Sequence, residues 1–247
     1  MTKDFHMNLD FVILAAGMGT RLGHERPKSL TVLQNGETIM ARQIRNIRAA
    51  FGKKAQITIV VGYRLEDIIE EFPDENFVYN EAYDMTNTSK SLLRALRSLP
   101  KENGVVWMNG DVVFDDRMLP LLKESIEISN ESTIVTTSES VAEEEVKYTV
   151  DSSGYINKLS KQVNLDLALG EAVGINYVTA ADRPVLESQL KRVDNNDYFE
   201  KGIEVAISEN GSRYIPFDIT LLGLLATEVD FQEDLSRANS NLALMTE

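Results

Sequence analysis

Cysteine is absent from the chain, and histidine occurs only twice, as His6 and His24. The first absence excludes disulfide frameworks, cysteine–zinc sites, iron–sulfur clusters and thiol catalysis. The second leaves no stock for a histidine metal cage or a Ser-His-Asp triad, and both histidines read as bystanders. No apolar run approaches the ~18 residues of a membrane span. The run from Phe11 to Met18 lies near the N-terminus, but Gly17, Gly19 and Arg21 follow it at once, so it reads as a buried strand entering a loop and not as an export signal. A cytoplasmic protein with no membrane partner is the expectation. There is no internal repeat and no Gly/Ser/Pro-rich linker.

Positive charge is scarce overall: 25 Lys and Arg stand against 39 Asp and Glu, a net of −14. Such a surface repels a polyanion, which argues against nucleic acid as a partner. The imbalance is uneven. Residues 1–60 hold nine basic and four acidic side chains, a net of +5, which leaves −19 on the rest. A basic first quarter on an acidic body suggests a local anion site.

Short apolar runs alternate with helical periods through the first half. Strands are expected at 11–16, 56–61, 77–79 and 104–109, with helices at 39–51, 65–72 and 89–99. That alternation implies an α/β fold with a mixed, mostly parallel sheet flanked by helices. In the second half, β-type segments at 132–137, 147–150, 155–159 and 172–178 suggest a β-rich flap. Helices are expected at 182–190, 198–208 and 232–242, and a strand at 212–215. The whole reads as one domain, 1–247, with a core of about 11–130 and 215–247 and an added flap with helices at about 131–214. The Leu92–Leu99 stripe reads as core. Glu143 to Glu145 read as a solvated face.

The most informative stretch is the loop after the first strand, Leu14-Ala15-Ala16-Gly17-Met18-Gly19-Thr20-Arg21-Leu22, continuing to Pro27-Lys28. Glycines after a buried strand let a ligand approach the backbone, whose amides can cradle phosphates. The pattern is not a dinucleotide fingerprint, because Leu22 stands where a third glycine is needed, and no Walker A lysine follows. Arg21 and Lys28 flank the loop, and Pro27 fixes the backbone before Lys28. Cations beside backbone donors suit a triphosphate.

This loop resembles the signature of the sugar-phosphate nucleotidyltransferase superfamily. Asn80-x-x-Tyr83-x-x-x-Asn87-x-x-x-Ser91-Leu92 and Gly170-Glu171-Ala-Val-Gly174 resemble segments of its choline-phosphate cytidylyltransferase-like branch. Asn109-Gly110-Asp111, the stretch Gly154 to Lys161, and Glu228-Val-Asp230-Phe-Gln-Glu-Asp-Leu235 resemble further family segments, in order along the chain. The resemblance implies a Rossmann-like nucleotidyltransferase fold. It implies an enzyme that transfers CMP from CTP to a phosphorylated small alcohol, phosphonate or sugar and releases pyrophosphate, as in precursor synthesis for surface polysaccharide or phospholipid. A sugar-1-phosphate enzyme using UTP or dTTP and a non-catalytic nucleotide-binding subunit are the alternatives, and a homodimer is among the assemblies left open.

By the same resemblance, Asp111 and Asp230 hold Mg²⁺, and Arg21, Lys28 and Asp111 are catalytic. Leu14, Ala15, Ala16, Gly17, Gly19, Thr20, Arg21, Lys28, Asn87, Ser91 and Gly110 bind the nucleotide, and Lys161, Glu171 and Gly174 face the acceptor. The chemistry is coherent with the missing histidines. A phosphate nucleophile has a second pKa of about 6 and needs no base at neutral pH. The barrier is the meeting of two anions, which fixed cations and Mg²⁺ lower. Choline-type relatives carry aromatic residues just before the serine–leucine pair, where this chain has Ser89 and Lys90. A lysine pointing inward there would repel a quaternary ammonium, so the sequence favours a polar acceptor over phosphocholine.

Overall fold

A computed structural model describes residues 8–19, 26–139, 141–195 and 197–245. The central sheet grows from β1 (Leu9–Ala15), whose side chains alternate between two cores. Phe11, Ile13 and Ala15 enter one apolar cluster, while Val12, Leu14 and Ala16 enter the other. That two-residue period buries both faces of the strand, as a parallel sheet covered on both sides requires.

Parallel to β1 on one side run β2 (Gln56–Val61) and then β3 (Asn76–Tyr79). On the other side lies β4 (Gly104–Asn109), also parallel. The first core is closed by α1 (Ile39–Phe51) and α4 (Met118–Ser129), the second by α3 (Thr88–Ser98), α5 (Arg183–Arg192) and α6 (Lys201–Asn210). A short α2 (Leu65–Glu71) links β2 to β3. Thr38 caps α1, its Oγ1 accepting from Ala41 N–H at 3.2 Å. The segments β6 (Ser132–Thr137), β9 (Gly170–Val178) and β10 (Tyr214–Asp218) extend the sheet in the order β10-β6-β9-β4-β1-β2-β3. Only β9 in that row is antiparallel to both its neighbours. The stretch 131–214 therefore contributes β6 and β9 to the main sheet, and the hairpin β7 (Lys147–Val150) with β8 (Ile156–Ser160) stands off it, joined through β9.

Strand order reverses at β1, so its carboxyl end opens a crevice between β2 and β4, where open α/β sheets bind ligands. The glycine loop leaves β1 at that point. Two helices beside the crevice brace each other. Arg183 of α5 donates to the carbonyls of Leu96, Leu99 and Pro100 at the end of α3, and Lys90 of α3 donates to those of Leu190, Lys191 and Val193 at the end of α5. Each cation meets the negative end of its neighbour's dipole.

One α-helix and two strands are absent from the sequence expectations: α4 and the paired β5 (Val112–Phe114) and β11 (Ala226–Glu228). Strands of three residues carry too little period to register in a sequence. The final helix, α7 (Gln232–Asn241), lies where the sequence places it. Helix α6 starts at Lys201 and not at 198, and β10 begins at Tyr214 and not at 212. Among the described residues, no helix is long and apolar enough to cross a membrane.

Candidate active site

The glycine loop, the β4–β5 turn and the first turn of α3 enclose a cavity of about 160 Å³. Leu14, Ala15, Gly17, Gly19, Lys28, Gly110 and Asp111 line it, all named by the sequence, together with Ser29, Thr88, Asn109 and Glu228, which were not. Gly17 faces open space, with no atom within 4 Å of where a Cβ would stand, so a ligand can reach its backbone. Gly19 has φ +58°, and a Cβ there would lie 2.7 Å from Lys28 Cγ. The glycine both turns the chain and makes room for the lysine stem. Ala16 lies just outside the lining, its carbonyl accepting from Tyr63 N–H. Thr20 and Arg21, like both histidines, lie outside the described residues.

Asp111 is held by the backbone around it. Gly110 N–H donates to Leu14 O at 2.9 Å, and Gln43 Nε2 of α1 donates to Asn109 O at 2.9 Å and Val112 O at 2.8 Å. The β5–β11 ladder then brings the far end of the chain across. Val112 pairs with Glu228, and Val229 N–H donates to Asp111 O at 2.9 Å. Asp230 follows two residues after Glu228, and its carboxylate meets the same lysine as Asp111: Lys28 Nζ donates to Asp111 Oδ2 at 3.3 Å and to Asp230 Oδ1. Residues 202 apart in sequence thus share one ion cluster. The sequence assigns Lys28 to the triphosphate; here its ammonium lies between the two carboxylates.

Burial alone would lower the Lys28 pKa, but the charges of Asp111 and Asp230 outweigh it and hold it above the ordinary value. Burial, followed by repulsion from Asp230, raises Asp111 against the pull of Lys28. The backbone N–H groups of Asp230 and Phe231 donate to Asp234 Oδ2, so Asp234 serves the start of α7 and Asp230 is not needed as its cap.

A larger cavity of about 650 Å³ adjoins this cluster. Among the described residues its wall carries Glu139, Glu144, Glu145, Glu171, Glu228, Asp230 and Asp234 against the single cation Arg237. Glu228 and Asp230 tie the large cavity to the ion cluster, and Glu228 lines both cavities. Glu228 is exposed to the water of those cavities, yet the protein around it, then Asp111, Glu200, Asp230 and Glu145, push its carboxyl well above the ordinary range. Sequence reasoning missed Glu228 as a site residue, although it stands two positions before Asp230 and strand alternation puts such residues on one face. Glu143 and Glu144 are exposed and Glu145 partly so, in keeping with the solvated face read from the sequence, and Glu144 and Glu145 stand on the wall of this cavity.

The other expected residues fall as follows. Glu171 lines the large cavity, but its Oε2 also accepts from Ala142 N–H at 3.0 Å. Gly174 (φ +73°) lies against Asn109, whose Nδ2 would be 2.6 Å from a Cβ. Lys161 lies outside both linings, its Nζ 5.9 Å from the Tyr198 ring centroid. Asn87 and Ser91 do not line the small cavity. The Asn87 amide donates to the carbonyls of Asp194 and Asp197, and Ser91 Oγ is buried and accepts from Asn80 Nδ2 at 2.9 Å. Thr88 between them reaches the cavity instead. Lys90 turns away to the end of α5, so it sets no positive charge against an acceptor and the sequence argument against a cationic one lapses.

Glu200, at the start of α6, is 8% exposed. Burial pushes its carboxyl up to about 7; its own N–H and Lys161 oppose that, and Glu145 adds to it. The folded state therefore binds this proton more tightly than the unfolded chain, whose carboxyl keeps an ordinary value near 4.5. Stability falls as pH climbs from about 4.5 to about 7 and levels off above that, by roughly 3 kcal/mol at full effect. We predict that Glu200→Gln matches the parent at pH 4.5 and exceeds it in stability at pH 8. Chemical denaturation across pH tests this; parallel curves for the two proteins would remove Glu200 as the titrating group.

The profile of the MobA-like NTP transferase domain matches residues 11–172. The "Bifunctional protein GlmU" of Neisseria meningitidis serogroup A is 28% identical over 191 residues, 76% of this chain but 41% of that protein. The chain thus spans about two-fifths of that relative. Among solved structures, CTP:phosphocholine cytidylyltransferase from Streptococcus pneumoniae superposes with a TM-score of 0.75, at 18% identity, covering 96% of this chain and all of the other. The inositol-1-phosphate CTP transferase of T. maritima gives 0.73 at 18% identity, covering 98% of each. At such identity these likenesses establish the mixed α/β fold.

Proposed function

Because the chain belongs to the family of MobA-like NTP transferase domains and is a nucleotidyltransferase, we propose that it transfers CMP from CTP to the phosphate or phosphonate of a small acceptor bearing a positive charge. The observation that carries this reading is the acidic cavity of about 650 Å³ joined to the glycine-loop cavity through Glu228 and the Lys28 cluster. A sugar phosphate alone would bring only negative charge to that wall. An ammonium group on the acceptor offsets it.

Carboxylates hold a primary ammonium by charge-assisted hydrogen bonds, whereas a quaternary one prefers aromatic faces. Among the described residues Phe231 is the only aromatic side chain in the lining. An aminoalkyl phosphate or phosphonate is therefore favoured over phosphocholine. CTP is favoured by the Asn80–Leu92 resemblance and by the CTP-using activities named for two proteins of the same fold. A cytoplasmic setting, where nucleotides are at hand, completes the reading.

The residues divide the work. Backbone amides at Gly17 and Gly19 and the first turn of α3 at Thr88 receive the triphosphate. The acceptor oxygen, already ionised, attacks the α-phosphorus and pyrophosphate leaves, so the chain supplies position and charge and no general base. The space between Asp111 and Asp230 already accommodates one positive charge, the Lys28 ammonium, and two carboxylates completed by phosphate oxygens suit Mg²⁺. Asp111 and Asp230 would hold that ion, which when bound offsets charge on the phosphates.

The test is pyrophosphate release with CTP, UTP, dTTP, ATP and GTP, each crossed with aminoethyl phosphate, aminoethylphosphonate, phosphocholine, glycerol phosphate and glucose 1-phosphate. The expected result is the highest kcat/KM for CTP with an aminoalkyl acceptor. Equal or faster turnover of glucose 1-phosphate with UTP or dTTP would replace this reading with that of a sugar-1-phosphate enzyme.

A further inference from the structure

Lys147 has no part in the chemistry above, yet its side chain is among the most deeply buried in the protein, at 1% exposure. A lysine is rarely enclosed so fully, because burying an ammonium is costly unless its donors are used. Its Nζ donates to two main-chain carbonyls, Glu143 O at 2.6 Å and Glu145 O at 3.0 Å. Directly opposite in the ladder, Glu171 of β9 pairs with Lys147 of β7. The Glu171 carboxylate accepts from the N–H of Ala142. Two neighbouring side chains of opposite charge thus grip one segment at three backbone groups. Residues 141–146 have no helix or strand of their own; a turn bond from Glu145 N–H to Ala142 O and one from Ala172 N–H to Val146 O leave the carbonyls of Glu143 and Glu145 and the N–H of Ala142 to this grip.

The gripped segment carries Glu144 and Glu145 on the wall of the large cavity. We propose that Lys147 is a positioning residue for acceptor selection: its buried ammonium fixes the main chain of Glu143–Glu145 so that the carboxylates of Glu144 and Glu145 face the acceptor's charged group. This rests on the cationic-acceptor reading above. It also gives Glu171 a second duty, as the tether at Ala142. An apolar residue would fill the same space without the desolvation cost, so the ammonium earns its place through the two carbonyls it holds.

The experiment uses the full chain with Lys147→Met, which keeps the stem and removes the ammonium, and Lys147→Arg. The kinetic expectation for Lys147→Met is an acceptor KM raised about tenfold, with kcat within about threefold and the CTP KM unchanged, the pattern of lost ground-state positioning. Lys147→Arg, which keeps the donors, should recover most of the loss. Where Lys147→Met fails to fold, Glu171→Met, which removes the tether at Ala142, should show the faster segment cleavage described next, and Glu171→Gln, which keeps an acceptor oxygen there, should be cleaved at the parental rate; cleavage is the readout for this pair because Glu171 itself lines the cavity.

A second readout needs no acceptor. Cleavage of the native protein by a glutamate-specific protease after Glu143, Glu144 or Glu145 should quicken about tenfold in Lys147→Met, since loss of the grip opens the segment locally. Unchanged cleavage would overturn the positioning role whether or not the acceptor is cationic. Faster cleavage with an unchanged acceptor KM would leave Lys147 as a loop anchor and overturn its role in selection. Faster cleavage together with failure of every cationic acceptor would instead strike the functional reading and spare the grip.

Discussion

Asp111→Asn and Asp230→Asn are each expected to cut metal-dependent turnover by about 10²–10³, the cost of removing one preorganised charge from a site of this kind. The amide keeps the shape and most hydrogen-bonding capacity of the side chain and removes only its charge. The fold should survive each change. The Asp111 carbonyl accepts from Val229 N–H, and the main chain beside it is held by Gly110 N–H donating to Leu14 O and by the Gln43 side-chain amide donating to Asn109 O and Val112 O, all of which an Asn would leave intact; Lys28 keeps the remaining carboxylate as partner. The double variant differs in kind. It leaves the Lys28 ammonium, half-buried, with neither carboxylate, and should lose about 1–3 kcal/mol of stability beyond either single change. Pyrophosphate release at saturating Mg²⁺ and denaturant midpoints check both parts. Near-parental turnover in Asp230→Asn would leave the metal to Asp111 alone, and an additive double variant would deny that Lys28 depends on the pair.

The parts of the protein that could be read from its sequence are those where one short stretch contains its own reason. The short apolar run Phe11 to Ala16, stopped by Gly17, is a buried strand by its length and ending, and Gly17, Gly19, Pro27 and Lys28 define a loop by their backbone constraints. Asp111 sits at the end of a recognisable buried strand. What could not be read comes from long-range pairing. The β5–β11 ladder joins segments of three residues each, too short for a periodic signal; the family resemblance sets Asp230 with Asp111, but neither the ladder that carries it there nor Glu228 beside it is legible. Asn87 and Ser91 show the same dependence on distant partners. Their residue types suit ligand contact, but Asn87 is bonded to the carbonyls of Asp194 and Asp197 and Ser91 to Asn80, partners that no local pattern reveals. Lys90 was open to misreading for the same reason, since its direction is set by the end of a helix about a hundred residues away. Glu144 and Glu145 keep the solvent exposure that the sequence suggests, but that they stand on a cavity wall depends on the path of residues 141–146, which no local pattern reveals.

Lys28→Met should produce an effect of similar size with the opposite sign in metal binding. The lysine ammonium lies against both carboxylates, so a divalent ion entering the space between them competes with a cation tethered to the protein. Two cations in one small space repel, and the Lys28 pKa, held above its ordinary value by the same carboxylates, means that deprotonation does not relieve the conflict near neutral pH. A metal ion held by Asp111 and Asp230 would require this side chain to move. Gly19, which leaves room along the lysine stem, and the small cavity it lines give the ammonium a place among the phosphates of the triphosphate. Removing the ammonium therefore has two separable results. Without nucleotide, Mn²⁺ used as a spectroscopic stand-in for Mg²⁺ should bind Lys28→Met more tightly than the parent, by about tenfold for one lost competing charge. With nucleotide, turnover should fall by about 10²–10³, because the charge that would have followed the triphosphate is missing. Electron paramagnetic resonance titration gives the first quantity and pyrophosphate release the second. Weaker or unchanged Mn²⁺ binding in Lys28→Met, with the fold intact, would show that the lysine and the metal do not contend for Asp111 and Asp230.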